Sequence, residues 1–167
     1  MDETLSYRIR EVRESDLHAL EWDGEFKHFR RLYRQALDEA KLGRRILLVV
    51  ENEGEILGQI FIHLKSKWNH HFAPDRTGYL HSFRVKPRFR MMGIGTSLLH
   101  EAEERLLDYG FSRAIISVAK DNVPARLMYE KLGYTIFAED TGEWSYFDDN
   151  GVLQNIIEPS FILVKRI

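Results

Sequence analysis

Val85-Lys86-Pro87-Arg88-Phe89-Arg90-Met91-Met92-Gly93-Ile94-Gly95-Thr96 reads as a strand stopped by a proline, a basic turn spaced by glycines, and a helix opening at Thr96. Such a turn gathers backbone N–H groups at the positive end of a helix dipole. Gly93 and Gly95 carry no Cβ, so an anion can approach the main chain closely there. Arg84, Lys86, Arg88 and Arg90 add cationic side chains beside that point. A diphosphate meets all of these demands. A packing role for the two glycines, at a close helix–strand contact, stays open beside it.

Spacing removes two common phosphate loops. The nucleoside-triphosphate loop ends in Gly-Lys-Ser/Thr, which is absent, and the dinucleotide fingerprint needs a third glycine where this chain has Leu98. Further along lies Asn122-Val123-Pro124-Ala125-Arg126-Leu127-Met128-Tyr129-Glu130-Lys131-Leu132-Gly133-Tyr134. Asn122 is an N-cap, Pro124 suits a first helical turn, and Gly133 ends the helix.

The two segments together resemble the GNAT superfamily of acyl-CoA-dependent N-acyltransferases. Arg90-x-x-Gly93-x-Gly95 is similar to its pyrophosphate loop, and Asn122-x-x-Ala125-x-x-x-Tyr129-x-x-x-Gly133-Tyr134 to the segment that follows. The resemblance implies acetyl-CoA as acyl donor. It would be held by Phe83 and Val85 on the strand, by Arg88, Arg90, Met91, Met92, Gly93, Ile94, Gly95 and Thr96 at the turn, and by Asn122, Ala125 and Tyr129. It implies an α/β fold with a mixed, mostly antiparallel central sheet, splayed between two parallel strands and flanked by helices. It also implies a Tyr129 hydroxyl near the thioester sulfur, donating a proton to the departing thiolate. Tyr129 has a plainer reading as a core aromatic, and Asn122 as a cap alone.

At 167 residues, 44% hydrophobic and 30% charged, the chain fits a single domain, residues 1–167, with a well-buried core. A net charge of -2 gives no reason to expect nucleic acid or an anionic membrane as partner. Cysteine is absent, so a Cys nucleophile, thiolate metal site or disulfide is excluded, and the acyl group must pass directly from thioester to acceptor. The first residues lack the basic and apolar regions of a leader, and no run reaches membrane-spanning length, so a cytoplasmic enzyme is the expectation.

Periodicity predicts a strand over Leu5–Val12, a short helix capped by Ser15 through Glu21, and an amphipathic helix over Glu25–Leu42. Strands follow at Arg45–Glu51 and Glu55–Lys65, then a loop over 66–76 and a strand over Thr77–Val85. A helix ending at Gly110, a strand at Ala114–Val118, the Asn122 helix, a strand from Tyr134 to Ala138 and a last strand over Ser160–Ile167 complete the pattern. Glu143–Ile157, with Asp149-Asn150-Gly151, predicts a hairpin.

Amine acetylation needs a neutral nucleophile, a polarised thioester and a proton for the thiolate. An alkylamine with a pKa near ~10 is mostly protonated at pH 7, so a base or a desolvating site is required. A backbone N–H near Phe83 or Arg84 would polarise the thioester carbonyl. Many family members carry a Glu four residues before the Val of V-x-P; here that position is His81, which can serve as base or simply bind substrate. Ser82 is its polar neighbour. Arg84 alternates with Phe83 and Val85, which leaves a solvated face open to it. Trp22, Glu25 and Phe26, with Glu21 and Asp23, are candidates for recognising the acceptor. Trp68, His70, His71 and Phe72 of the 66–76 loop join them, and packing aromatics are the alternative. Glu143–Phe147 is assigned to the acceptor site or a dimer contact. His63, His70, His71 and His81 lack the spacing of a metal site, so no metal is expected. The function implied is an N-acetyltransferase acting on a primary amine of a small molecule, peptide or protein. A non-catalytic acyl-CoA sensor or structural module is the alternative, and a homodimer the assembly common in the family.

Overall fold

The computed structural model describes residues 5–64 and 76–167. Among the described residues, nine strands and three α-helices follow one another. They are β1 (Arg8–Glu11), α1 (Arg30–Lys41), β2 (Arg45–Asn52), β3 (Glu55–His63), β4 (Thr77–Val85), α2 (Ile94–Asp108), β5 (Arg113–Ala119), α3 (Val123–Lys131), β6 (Thr135–Asp140), β7 (Glu143–Phe147), β8 (Leu153–Ile157) and β9 (Ser160–Arg166). Seven strands form one sheet in the order β1-β2-β3-β4-β5-β9-β6, and β7-β8 form a separate hairpin. Every pair is antiparallel except β4–β5, which is parallel. This is the mixed, mostly antiparallel α/β sheet expected.

Helices cover both faces because β2, β3 and β5 are apolar on both sides, as buried strands must be. On one face α1 lays Tyr33, Ala36 and Leu37 over Leu47, Val49 and Phe61. On the other, Leu98, Leu99, Ala102 and Leu106 of α2 and Tyr129 of α3 pack on Leu48, Val50, Leu80 and Ile116. The recurrence at i, i+3 and i+4 on each helix is the apolar stripe read from sequence.

Two features of β4 shape the site. Its ladder with β5 runs from Thr77↔Arg113 to Leu80↔Ile116 and stops, so His81–Val85 diverge from the parallel neighbour. Against β3, Phe61 pairs with His81 and Gln59 with Arg84, which leaves Ile60 opposite both Ser82 and Phe83. That is a β-bulge, and Ser82 sits in it at φ 51°.

Local structure departs from expectation near the N-terminus. Ser15 caps no helix. Two short 3-10 turns, Glu14–Asp16 and Ala19–Glu21, stand there instead. Asp16 is why: its carboxylate accepts from the Arg13 N–H and takes both Nη atoms of Arg10 at 2.7 and 2.9 Å. The predicted Glu25–Leu42 helix begins only at Arg30, because Trp22, Asp23 and Gly24 all take positive φ and the chain re-enters through a 3-10 turn at Lys27–Phe29. The first strand is shorter than expected, and α2 starts at Ile94 rather than Thr96. Most of the predicted 66–76 loop, with Trp68, His70, His71 and Phe72, lies outside the described residues.

Candidate active site

The donor side is built where β4 ends. Pro87–Phe89 makes a 3-10 turn, and Gly93 caps α2 at φ 80°, a conformation that a side chain would strain. A Cβ placed on Gly93 meets nothing within 4 Å, so the turn is open above the main chain. The N–H groups of Ile94, Gly95 and Thr96 open the helix and have no intrahelical acceptor; Ser97 donates to the Gly93 carbonyl at 3.0 Å. Gly95 packs under Phe83, whose Cζ would lie 3.5 Å from an added Cβ. The residues present therefore fit a diphosphate on the helix N-terminus, with Gly95 serving packing as well.

The cations at this turn are deployed unequally. Arg90 Nε donates to the Val85 carbonyl at 2.9 Å and so holds the loop against the strand end. Arg88 pairs with Glu55 and stacks on Phe89, and Lys86 lies 3.9 Å from the same Glu55. Arg84 is not at the turn at all. The Ser82 bulge shifts it to the opposite face, among the residues of α1. Met91, at φ 63°, and Met92 are exposed on the rim.

Asn122 caps α3, its side chain accepting from the Ala125 N–H at 3.3 Å. Two turns on, Tyr129 is 6% exposed, stacked on Phe83 with ring centroids 6.1 Å apart and tilted against Tyr134 at 6.3 Å. Its hydroxyl makes no hydrogen bond among the described residues. Burial, with a smaller contribution from Tyr79, holds its pKa above that of a free phenol, so it stays protonated at neutral pH. Tyr79 itself is pushed up to about 12 by burial.

A cavity of about 520 Å³ opens on the α1 face. Its floor is β4: Tyr79, His81, Ser82 and Arg84. One wall is aromatic, from Phe29, Tyr33, Phe61 and Trp144; the far wall carries Asp140, Glu143 and Glu158. Trp144 reaches it because β7–β8 folds back over α1, with Phe29 against Trp144 and Tyr146. The turn of that hairpin is closed by Asp148, whose Oδ1 accepts from the N–H groups of Asn150 and Val152 at 2.9 Å each.

His81 Nδ1 lies 3.1 Å from Ser82 Oγ, while Nε2 is buried with no partner among the described residues. Burial first, then the charges of His63, Arg45 and Arg84, hold its pKa well below 6.5. The ring is therefore neutral at pH 7. In the tautomer that donates from Nδ1 to Ser82, Nε2 carries a lone pair.

Of the residues expected to meet the acceptor, His81 and Ser82 line the cavity. Phe26 reaches it through Arg84, whose guanidinium stacks 4.1 Å from its ring. Trp22 does not: it is 8% exposed and packs edge-on against Phe26. Glu25 is exposed away from the cavity, and Glu21 is paired with Arg30 at 2.8 Å. Sequence reading missed Tyr33, Arg45, Phe61, Asp140 and Glu158, which long-range packing brings in. The rings of His63 and His81 lie 5.0 Å apart; among the described residues no three His, Cys, Asp or Glu side chains gather as a metal site.

Solved structures share this fold. The ribosomal-protein-S18-alanine N-acetyltransferase from Escherichia coli superposes with a TM-score of 0.72 at 17% identity, over 97% of this chain and 94% of that one. The PaiA N-acetyltransferase from Thermoplasma acidophilum, solved in complex with coenzyme A, gives 0.68 at 17% identity, over 97% and 99%. An uncharacterized N-acetyltransferase from Archaeoglobus fulgidus is 32% identical over 83 residues, 50% of this chain, so that the match spans 55% of the relative's length. The model of the acetyltransferase (GNAT) family matches residues 9–134. With its splayed parallel pair, its glycine turn on a helix N-terminus and that match over most of its length, the chain belongs to the GNAT family of acetyltransferases.

Proposed function

We propose that this enzyme moves the acetyl group of acetyl-CoA directly onto a primary amine of a small molecule or peptide, with Tyr129 as acid and His81 as base. One observation carries the reading: β4 leaves β5 at Leu80, with the glycine turn at its end and the cavity on its α1 face. A thioester threaded along the free edge of His81–Val85 would meet an amine coming from the cavity. The amine nitrogen attacks the carbonyl carbon, and the C–S bond breaks as the tetrahedral centre collapses. Attack acidifies the amine N–H, so a neutral imidazole of low basicity suffices to take that proton; Nε2 is buried in the free protein, so the ring must turn that atom toward the cavity to do so. The thiolate takes its proton from the Tyr129 hydroxyl, which faces a similarly desolvated sulfur.

The test is acetyl-CoA binding by calorimetry, followed by release of free CoA in the presence of pooled amines. Micromolar binding, lost in Gly93→Trp while the melting temperature falls only by the roughly 2–8 °C that a side chain at φ 80° costs, is the expected result. A Cβ there meets nothing within 4 Å, and the indole beyond it would fill the phosphate approach. Absence of binding in the wild type refutes the reading. Binding without release from any amine favours the non-catalytic sensor.

A further inference from the structure

We propose that Arg84 is the carboxylate-binding residue of the acceptor site, and that the acceptor is a free amino acid or a similar amine with a carboxylate one or two carbons away. This inference rests on the acetyl-transfer reading above and names the substrate class of that site.

Arg84 is held for such a role. Its Nη1 donates to the Tyr33 hydroxyl at 2.7 Å, and its guanidinium carbon lies 4.1 Å from the Phe26 ring centroid and 5.4 Å from that of Phe29. A guanidinium has five N–H donors; stacking of its face leaves the in-plane edge for a bidentate acceptor. No carboxylate among the described residues lies within ion-pair distance of it. Arg45, the other arginine lining the cavity, is by contrast neutralised by Glu39. Beside Tyr33, Gln59 is fully buried. It sits directly across from Arg84 in the ladder, against the Tyr33 hydroxyl, without closing a hydrogen bond of ordinary geometry. Arg84 and Tyr33 thus form a polar corner in the aromatic wall, with Gln59 buried behind them and guanidinium donors left over.

The distance to the reacting end is set by the bulge. The β3 partners of Arg84 and His81 are Gln59 and Phe61, two residues apart, so the two side chains leave the same face about 7 Å apart. Both side chains line one cavity, so an α- or β-amino carboxylate seated there with its carboxylate on Arg84 would have its amine toward the His81 end. Asp140, Glu143 and Glu158 on the far wall would repel a dianion such as phosphate, while a single planar carboxylate suits the guanidinium edge. A polyamine would place its second ammonium against Arg84. A peptide N-terminus would offer a neutral amide there, which makes it the competing acceptor.

The decisive comparison pairs each free acid with its amide. With the enzyme saturated with CoA, N-acetyl derivatives of glycine, alanine, phenylalanine and glutamate are titrated beside their carboxamides. Kinetics with the corresponding unacetylated pairs and acetyl-CoA follow. At least one acid should bind about 10- to 100-fold tighter than its amide, as loss of a charge-assisted bidentate contact requires. In Arg84→Gln that preference should collapse to about unity, through KM more than kcat, and Arg84→Lys should recover part of it. Equal binding of every acid and its amide in the wild type overturns the proposal, as does a preference that survives Arg84→Gln. Acetylation of amides or polyamines alone would overturn it while leaving acetyl transfer intact. Failure to bind CoA would instead sink the underlying reading.

Discussion

Replacing Tyr129 by Phe separates the two roles open to it, core aromatic and proton donor. The ring keeps its stack on Phe83 and its contact with Tyr134, and the hydroxyl gives up no hydrogen bond to the described residues. A buried hydroxyl without such a bond adds little or nothing to stability, so the variant should lie within about 0.5 kcal/mol of wild type. For a chain of this size that is about 1–2 °C in Tm. Catalysis should respond very differently. Without the phenol the thiolate must leave into a desolvated wedge with no proton, and general acid catalysis is worth roughly 10²–10⁴-fold. The assay is thiol release at saturating acetyl-CoA and acceptor, with acetyl-CoA affinity measured alongside. A kcat reduced about a hundredfold or more, at unchanged Tm and coenzyme affinity, is the expected result. A kcat within threefold of wild type refutes the acid assignment and leaves Tyr129 as packing.

His81 gives a prediction in pH. Its folded pKa is depressed, so between the unfolded value near 6.5 and the lower folded value the unfolded chain binds the extra proton, and stability falls as pH is lowered through that window. In His81→Gln, urea melts at pH 7.5, 6.5 and 5.0 should show less of this loss; identical pH dependence in both proteins would contradict a neutral buried ring. The same depression keeps the ring unprotonated through neutrality, so if His81 is the base as proposed, the acid limb of kcat/KM should fall well below pH 6.5. Gly142→Ala tests the wall that joins β6, β7 and β9. A Cβ there would sit 1.7 Å from the Glu158 carbonyl oxygen at φ 72°. Left-handed strain of about 1–2 kcal/mol and overpacking of about 1–3 kcal/mol should lower Tm by roughly 5–15 °C. A shift under 2 °C in a thermal melt would mean the wall yields freely.

What could be read from sequence was whatever is encoded locally. The glycine turn, the Asn122 cap, the two amphipathic stripes and the Asp149-Asn150-Gly151 turn each declare themselves within a few residues. The structure keeps each of them, with α1 shortened to Arg30–Lys41 and α2 opening two residues early at Ile94. The N-terminal helices failed because Asp16 found a stronger partner in Arg10 than a helix cap, and because Trp22 and Asp23 accept positive φ that no propensity foretells. Arg88 looked like a phosphate ligand by position, yet Glu55, distant in sequence, holds it here. The acceptor cavity was the least legible part. Its walls come from α1, β3, β4 and the β6–β9 region, and only the strand order brings Tyr33, Asp140 and Glu158 together.

Arg84 shows how one inserted residue can invert a reading of alternation. In a regular strand, Phe83 would share the His81 face and Arg84 would point with Leu80 toward α2. The bulge at Ser82 lets two residues oppose Ile60 and thereby exchanges them. Phe83 falls beneath Gly95 and against Tyr129 on the donor side, and Arg84 falls beside Tyr33 on the acceptor side. Ser82 bears the conformational cost, about 1–2 kcal/mol for a non-glycine residue at positive φ. The strain is stored beside His81, the proposed base. Removing the bulge would return the guanidinium to the α2 face and the aromatic ring to the cavity face, so the proposed separation of donor from acceptor depends on it.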